Sequence, residues 1–365
     1  MSVIKEKERP LVSVGILTYN HEKYIAEAIE SVLRQKVNFK YEIVIAEDCS
    51  TDNTRNIVIE YQKKYPEIIR LILQPHNMGI QANSNILRRA CRGIYRANLE
   101  GDDYWAVDDK LQQQVDFLEM HPDFIAIGGE FKCIDDNGKP CKFPWGDIRY
   151  TYCQDNEYTK EHLKKWLLFG HTSTMLFRNL FYDCDDGVND RFDNVQILGD
   201  RRISLFLVMQ GRIRHEKKVL VIRRVLSKSK SSMTNAVKNS NYIGVNYGWL
   251  CEAERYAKSE FNYNLDLSDI KEKRWIGSWK FFIKNPSREN LKVIKYIFLR
   301  SNSKTKYIYL VLKKSINKII RFVKENGFIN FVKRGLKFFC KLAKENMTSK
   351  TKEDNSVLNS FSKNK

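Results

Sequence analysis

Leu99-Glu100-Gly101-Asp102-Asp103-Tyr104-Trp105 places three carboxylates in one tight turn, straight after a segment, Ile94 to Leu99, that reads as a buried strand. Like charges gather at a strand end where a cation or a transferred group offsets their repulsion. In a chain that alternates strands with helices, the carboxyl ends of the strands are also where an open α/β sheet binds its ligands. The turn therefore points to metal-assisted chemistry on an anionic substrate.

Upstream of that turn the alternation is regular. Leu11 to Leu17 is a short run rich in β-branched residues, bounded by Pro10 and by Thr18-Tyr19-Asn20, and it predicts a strand. Ile25, Ile29, Val32 and Leu33 then recur at helical spacing. Tyr41 to Ala46 predicts a second strand, which ends in Glu47-Asp48-Cys49-Ser50-Thr51-Asp52. A second helix carries Ile57, Val58, Tyr61 and Tyr65 and closes at Pro66. Ile68 to Leu73 predicts a third strand, and Asn77-Met78-Gly79 turns the chain into a helix near Gln81–Cys91. Beyond the acidic turn come a helix over Lys110–Glu119 and a strand near Phe124–Gly128. This order with short connections predicts an α/β fold whose mainly parallel sheet is covered by helices. Neither Gly-x-Gly-x-x-Gly nor Gly-x-x-x-x-Gly-Lys occurs, which argues against an ordinary dinucleotide enzyme or a P-loop NTPase.

From Lys132 to about Leu163 the pattern weakens into inserted loops and a hairpin. His171 to Phe177 predicts a strand, Asp200 to Met209 a helix, and Val219 to Ile222 a last short strand. Beyond about Ser227 the chain is helical and polar. The expected division is a domain over 1–226, with halves of about 1–130 and 131–226, a helical extension over 227–300, and a tail over 301–365. In that tail Ile308, Leu312, Ile316, Ile319 and Val323 recur at helical spacing among lysines and arginines, and its end is expected to be disordered.

Charge follows the same division. The chain of 365 residues carries a net charge of +19, of which the tail holds +12, from 16 Lys and Arg against 4 Asp and Glu. A basic amphipathic helix over about 304–344 suits an anionic membrane surface. The remaining +7 is spread over three hundred residues, so the acidic crevice does not belong to a nucleic-acid binder. The N-terminus lacks an apolar run of signal-peptide type, and the 8 cysteines include no Cys-x-x-Cys pair. Both features predict a cytoplasmic protein with reduced thiols, and the basic tail predicts a peripheral place on the inner face of the plasma membrane.

Three strand ends are expected along one edge: Thr18-Tyr19-Asn20, Glu47-Asp48, and Glu100-Gly-Asp102-Asp103. Asp48 suits the N3–H of a uracil or thymine ring, and Asp102 suits a divalent cation between two phosphates, since hard oxygen ligands fit Mg²⁺ or Mn²⁺. Ser13-Val-Gly-Ile-Leu-Thr-Tyr-Asn20, Glu42-Ile-Val-Ile-Ala-Glu-Asp-Cys-Ser-Thr-Asp52, Asn77-x-Gly79 and Glu100-Gly-Asp-Asp-Tyr-Trp105 stand in the order and spacing of the family 2 glycosyltransferases, which the chain resembles across about Leu11–Arg224. The resemblance implies a GT-A nucleotide-binding fold, a UDP- or dTDP-sugar donor and inversion at the anomeric carbon.

It also implies roles for particular residues. Asp48 would read the pyrimidine. Asp102, with Glu100, would hold the metal, and Asp200 in Leu198-Gly-Asp200 would be the general base. Thr18, Tyr19, Asn20, Asn77, Asn83, Gly101, Asp103, Trp105 and Arg224 complete the expected donor site. Two departures stand out: Gly199 replaces the usual first acid before Asp200, and Leu226 stands where many members have His.

Blander roles compete. Asp52 reads as a helix cap, Thr18 and Asn20 as turn residues, Asp103 as a brace, Trp105 as a wall and His171 as a packing residue. Asp183, Asp185, Asp186, Asp190 and Asp193 read as a solvated, mobile loop. The acceptor expected of such a transferase is a glycan or a lipid-linked saccharide. The rivals are a nucleotidyltransferase that forms the activated sugar, and a non-catalytic binding protein driven by the basic tail. Deleting residues 301–365 is expected to leave UDP binding in place and to lower retention on anionic vesicles; loss of nucleotide binding would favour the tail-driven binder.

Overall fold

The computed structural model describes residues 9–143, 151–182, 184–197, 199–226, 242–285 and 287–301. The chain forms two compact units, Met1–Asn235 with Glu252–Asp266, and Ala236–Cys251 with Leu267–Lys365.

The first unit is built on a nine-stranded sheet. Its parallel half contains β1 (Val12–Thr18), β2 (Tyr41–Glu47), β3 (Ile69–Leu73) and β4 (Tyr95–Glu100), in the order β3-β2-β1-β4. The helices α1 (Ile25–Leu33), α2 (Thr54–Lys64) and α3 (Ile80–Ala90) connect them. Val12, Val14, Ile16, Ile43, Val44 and Ile45 are fully buried, as strands covered on both faces require. Ile43 and Ile45 join one apolar cluster with Ile25, Ile29 and Val58, whereas Val44 and Ala46 face Leu87 and Cys91. This alternation of period two sets α1 and α2 on one side of the sheet and α3 on the other. Each such side chain contributes about 1.5–3 kcal/mol by leaving water.

Beyond β4 the chain adds β5 (Tyr104–Trp105), α4 (Lys110–Met120), β6 (Phe124–Ile134), β7 (Glu157–Tyr158), α5 (Lys160–Lys164), β8 (Leu176–Arg178), α6 (Asp186–Asp193), α7 (Gly199–Gln210) and β9 (Arg212–Arg224). β8 lies between β4 and β6 and is antiparallel to both. β9 runs parallel to β6 and takes β5 and β7 as antiparallel partners. The sheet is therefore mixed: wholly parallel in its first half, and in its second half parallel only between β6 and β9. Among the described residues between β6 and β8 the α-helix is the five-residue α5, and antiparallel neighbours need no long crossover helix.

Three segments differ from the sequence reading. His171–Phe177 is not one strand: Thr172–Thr174 forms a single 3-10 turn, and only Leu176–Arg178 joins the sheet. The Thr174 hydroxyl donates to the His171 carbonyl at 2.7 Å, a local bond that competes with the ladder. The acidic stretch is not a solvated loop. Asp185 caps α6, and Asp190 and Asp193 pair with Arg88 and Arg89 of α3. The cations that hold it lie about a hundred residues upstream, where a local reading does not look. Asp183 lies outside the described residues. The last strand runs through Arg212, Arg214, Glu216, Lys217 and Lys218, whose charges interrupt the apolar run that marks a buried strand.

The second unit holds α9 (Ser268–Lys284), α10 (Arg288–Arg300) and the start of α8 (Tyr242–Phe261). Its core gathers Tyr247, Trp275, Val293, Ile294, Ile297 and Phe298. The expected amphipathic tail from 302 onward lies outside the described residues. No described helix is long and apolar enough to cross a membrane.

Gly93 fixes the spacing of β1 and β4. Its N–H donates to Ser13 Oγ at 2.7 Å, and a Cβ there would lie 2.3 Å from the Ser13 backbone nitrogen. The obstructing atoms are backbone and have nowhere to go. Gly93→Ala is expected to cost about 3 kcal/mol, read as a lower denaturation midpoint at unchanged slope; wild-type stability would show that the strands can part.

Candidate active site

The ends of β1, β2 and β4 lie side by side because β1 pairs with both others, Thr18 opposite Glu47 and Leu17 opposite Glu100. The loops leaving β1 and β2 are laced together. Asn20, with φ of 57°, donates its N–H to Ser50 Oγ at 2.9 Å and accepts from the Thr51 N–H at 2.8 Å. The His21 N–H donates to Thr54 Oγ1 at 2.8 Å and the Glu22 N–H to Asp52 Oδ2 at 3.1 Å. In return the Asn53 N–H donates to Glu22 Oε2 at 2.9 Å. Asp52 also accepts from the Thr54 N–H at 2.9 Å, steadying the first turn of α2. Thr18 sits 3.3 Å from His21 Nδ1 through its hydroxyl, and Tyr19 is half-buried beside it.

Asp48, just past β2, is buried. Its Oδ1 accepts from the Met78 N–H at 2.8 Å and its Oδ2 from the Gly79 N–H at 3.0 Å. Asn77 donates to the Asp48 carbonyl at 3.2 Å. Gly79 has φ of 82°, a left-handed backbone that favours glycine, and opens α3. Asn83, in the first turns of α3, is buried, with its amide donating to the Ala46 carbonyl and accepting from Gln74, each at 3.0 Å. Both ends of Asn83 are thus engaged by the protein itself.

The acidic turn is pinned at every residue. The Gly101 N–H donates to the Leu17 carbonyl at 2.8 Å, and a Cβ on Gly101 would lie 2.8 Å from both His21 Nδ1 and Thr18 Oγ1. Asp103 is fully enclosed: its Oδ1 accepts from the Arg224 N–H and its Oδ2 from the Ser173 hydroxyl, both at 3.0 Å. Arg224 Nη1 donates to the Asp102 carbonyl at 2.9 Å, and Nη2 pairs with Glu27. The rings of Tyr24 and Tyr104 lie 4.8 and 5.1 Å from its guanidinium carbon, and its side chain is 9% exposed. Arg224, expected at the donor phosphates, braces the turn. Trp105 is a buried support, its indole N–H donating to the Ser173 carbonyl at 2.9 Å.

His171 completes the cluster, with Nδ1 3.6 Å from Asp103 Oδ2 and Nε2 3.8 Å from Glu100 Oε2. The Ser173 N–H points at Nδ1, at 3.4 Å. Glu100, Asp103 and His171 have ligand atoms that all lie within 4.8 Å of one another, a grouping that no other described residues share. Two carboxylate oxygens and an imidazole nitrogen suit Mn²⁺ or, less well, Mg²⁺. Asp102, expected beside Glu100 on the metal, is not one of these three.

Asp200 lies in the first turn of α7, its carboxylate accepting from the Arg201 N–H at 2.7 Å. Its charge reaches Glu100 and Tyr152. Desolvation first, then Asp102 and Asp200, push the Glu100 carboxyl up to about 7, with Arg223 pulling the other way. Burial, then Asp102 and Glu100, raise Asp103 well above the usual carboxylate range. Burial and the Arg223 guanidinium hold His171 well below its ordinary value, so the imidazole is neutral. Arg223, Ser173 and Tyr152 were not singled out in the sequence. Arg223 had a signal, the Arg223-Arg224 pair at the end of an apolar run; Ser173 and Tyr152 had none.

These shifts set a dependence of stability on pH. Two carboxyls that bind protons more tightly when folded lose stability as pH rises from about 4.5 towards 7, while His171, weakened as a base, opposes this only below 6.5. Two groups outweigh one, so the melting temperature is expected to fall between about pH 5 and pH 8. Mn²⁺ should raise it more at the upper end, where protons no longer compete for the ligands. A Glu100→Gln variant should show a shallower fall; an unchanged slope would remove Glu100 from the account.

The comparisons with known proteins agree with this architecture. Residues 13–183 match the model of the family described as Glycosyl transferase family 2. An uncharacterized protein of Mycobacterium tuberculosis is 40% identical over 134 residues, 36% of this chain and 39% of that protein. An uncharacterized glycosyltransferase of Methanocaldococcus jannaschii is 32% identical over 168 residues, 44% of this chain and 55% of that one. The chain thus spans between two-fifths and just over half of the length of these curated relatives. In fold it resembles S. aureus TarS 1–349, crystallised with UDP-GlcNAc, with a TM-score of 0.57 and 17% identity over 88% of this chain and 89% of that one. The segment that carries β1 to β4 and the acidic turn is thus similar to glycosyltransferase family 2.

Proposed function

We propose that the chain transfers a sugar from a UDP- or dTDP-sugar to a hydroxyl of a glycan or lipid-linked acceptor, inverting the anomeric carbon. The observation that carries this reading is the gathering of Glu100, Asp102 and Asp103 at the end of β4, with Asp200 close enough to raise the Glu100 carboxyl. Carboxylates so placed repel one another and any phosphate unless a cation joins them. TarS, bound to UDP-GlcNAc and to UDP on a similar fold, supports a uridine nucleotide.

In this proposal Asp48, steadied by two backbone N–H groups, accepts from the pyrimidine N3–H. Thr18, Tyr19 and Asn20 form the floor on which the nucleotide rests. Glu100 and Asp102, the expected ligands, would hold Mn²⁺ or Mg²⁺, with Asp103 and His171 close enough to Glu100 to join them. When bound, the metal would supply positive charge for the departing diphosphate. Asp200 takes the proton of the acceptor hydroxyl during attack, a form of assistance that contributes about 10²–10⁴-fold. One displacement at one face of the sugar inverts it. Association with an anionic membrane surface through residues 304–344 would bring the site to a lipid-linked acceptor.

Nucleotide release from UDP-glucose, UDP-galactose, UDP-N-acetylhexosamines and dTDP-rhamnose, with and without Mn²⁺, tests the reading. One donor is expected to be hydrolysed in a metal-dependent way. Asp102→Asn and Asp200→Asn should each lower the rate at least about 100-fold while the protein stays folded. A variant with full activity would strip that residue of its role, and failure to bind UDP in the presence of Mn²⁺ would exclude a nucleotide site.

A further inference from the structure

α7 carries Asp200 in its first turn, and a buried cation two residues on ties that turn to the rest of the domain. Arg202 Nη2 donates to Asn85 Oδ1 of α3 at 2.7 Å. Its Nη1 faces the carbonyls of Phe192 and Asp193, at the end of α6, at 3.2 and 3.3 Å. Its guanidinium carbon lies 4.5 Å from the centre of the Phe192 ring, and the residue is buried. α6 is in turn clamped to α3, with Arg88 bonded to Asn189 and, at 2.7 Å, to Asp193. α3 starts at Gly79, whose N–H is held by Asp48. One hydrogen-bonded path therefore runs from Asp48, along α3, through Asn85 and Arg202, to the helix that bears Asp200.

A buried arginine is costly, because its charge leaves water. A hydrophobic side chain of similar size would fill the space without that cost, so packing alone does not call for arginine here. What the guanidinium adds is direction: its fork meets three oxygens on two other elements and fixes the rotation and height of the first turn of α7. A general base must sit within about 3 Å of the hydroxyl it serves, and a misplacement of about 1 Å costs on the order of 100-fold in rate.

We propose that Arg202 is a positioning residue for this transferase: anchored by Asn85 and by the end of α6, it sets where the Asp200 carboxylate stands. The proposal rests on the reading of Asp200 as general base. Arg202 does not touch the donor.

Arg202→Met and Asn85→Ala, each as the full chain with Mn²⁺, test it through donor hydrolysis and UDP calorimetry. Arg202→Met is expected to lower kcat roughly 10- to 100-fold with the donor KM and the UDP Kd within about twofold. Asn85→Ala should act in the same direction and more weakly, and Arg202→Lys should recover part of the loss. In an Asp200→Asn background, Arg202→Met should cost nothing more, since there is no base left to misplace. An unchanged kcat, or a loss that repeats in full in that background or is matched by loss of UDP binding, would overturn the proposal and leave Arg202 a stability residue. Full activity of Asp200→Asn alone would instead overturn the assignment of the base, a separate outcome.

Discussion

The carboxylate of Asp103 is the tie on which the site depends. It has no exposed surface to speak of, and it joins three parts of the chain that are far apart in sequence: the turn after β4, the 3-10 turn that holds Ser173, and the end of β9 at Arg224. A buried acid is tolerated only when its oxygens are satisfied. Here each oxygen has a donor, and those donors bring His171 and Arg224 to the turn. Because Arg224 also grips the Asp102 carbonyl, the loop cannot relax without breaking bonds to both the 3-10 turn and the end of β9. The repulsion among Glu100, Asp102 and Asp103 is thus contained by geometry, which keeps the carboxylates gathered with or without a cation.

Much of this was legible in the chain. Runs such as Val12–Thr18 and Tyr41–Glu47 announce buried parallel strands because both faces must be apolar, and their ends carry the polar groups that make a site. The limits lay where distant residues decide the outcome. Asp190 and Asp193 read as solvated until Arg88 and Arg89 arrive from another helix. Ser173 gives no hint in sequence that its hydroxyl will meet Asp103. β9 hides behind its own charges. Asp103 and Arg224 show a subtler limit: motif spacing brings them to the site but gives no sign that they also brace it.

Support of this kind recurs across the donor side. Asp48 is held by two backbone amides, Asn83 by a carbonyl and a glutamine, Trp105 by Ser173 and Ser31. Such groups arrive at a reaction already oriented, so little ordering remains when a ligand binds. The helix α3 extends that rigidity, since it begins beside Asp48 and meets α6 and α7 along its length.

The lacing between the loops after β1 and β2 has a consequence for how this surface can change. Five backbone N–H groups cross or close that gap, each ending on a side chain, and four of those side chains are Ser50, Asn20, Thr54 and Glu22. Replacing any one of them orphans a donor in the opposite loop. The two loops are therefore inheritable only as a matched pair, and neither can be remodelled alone.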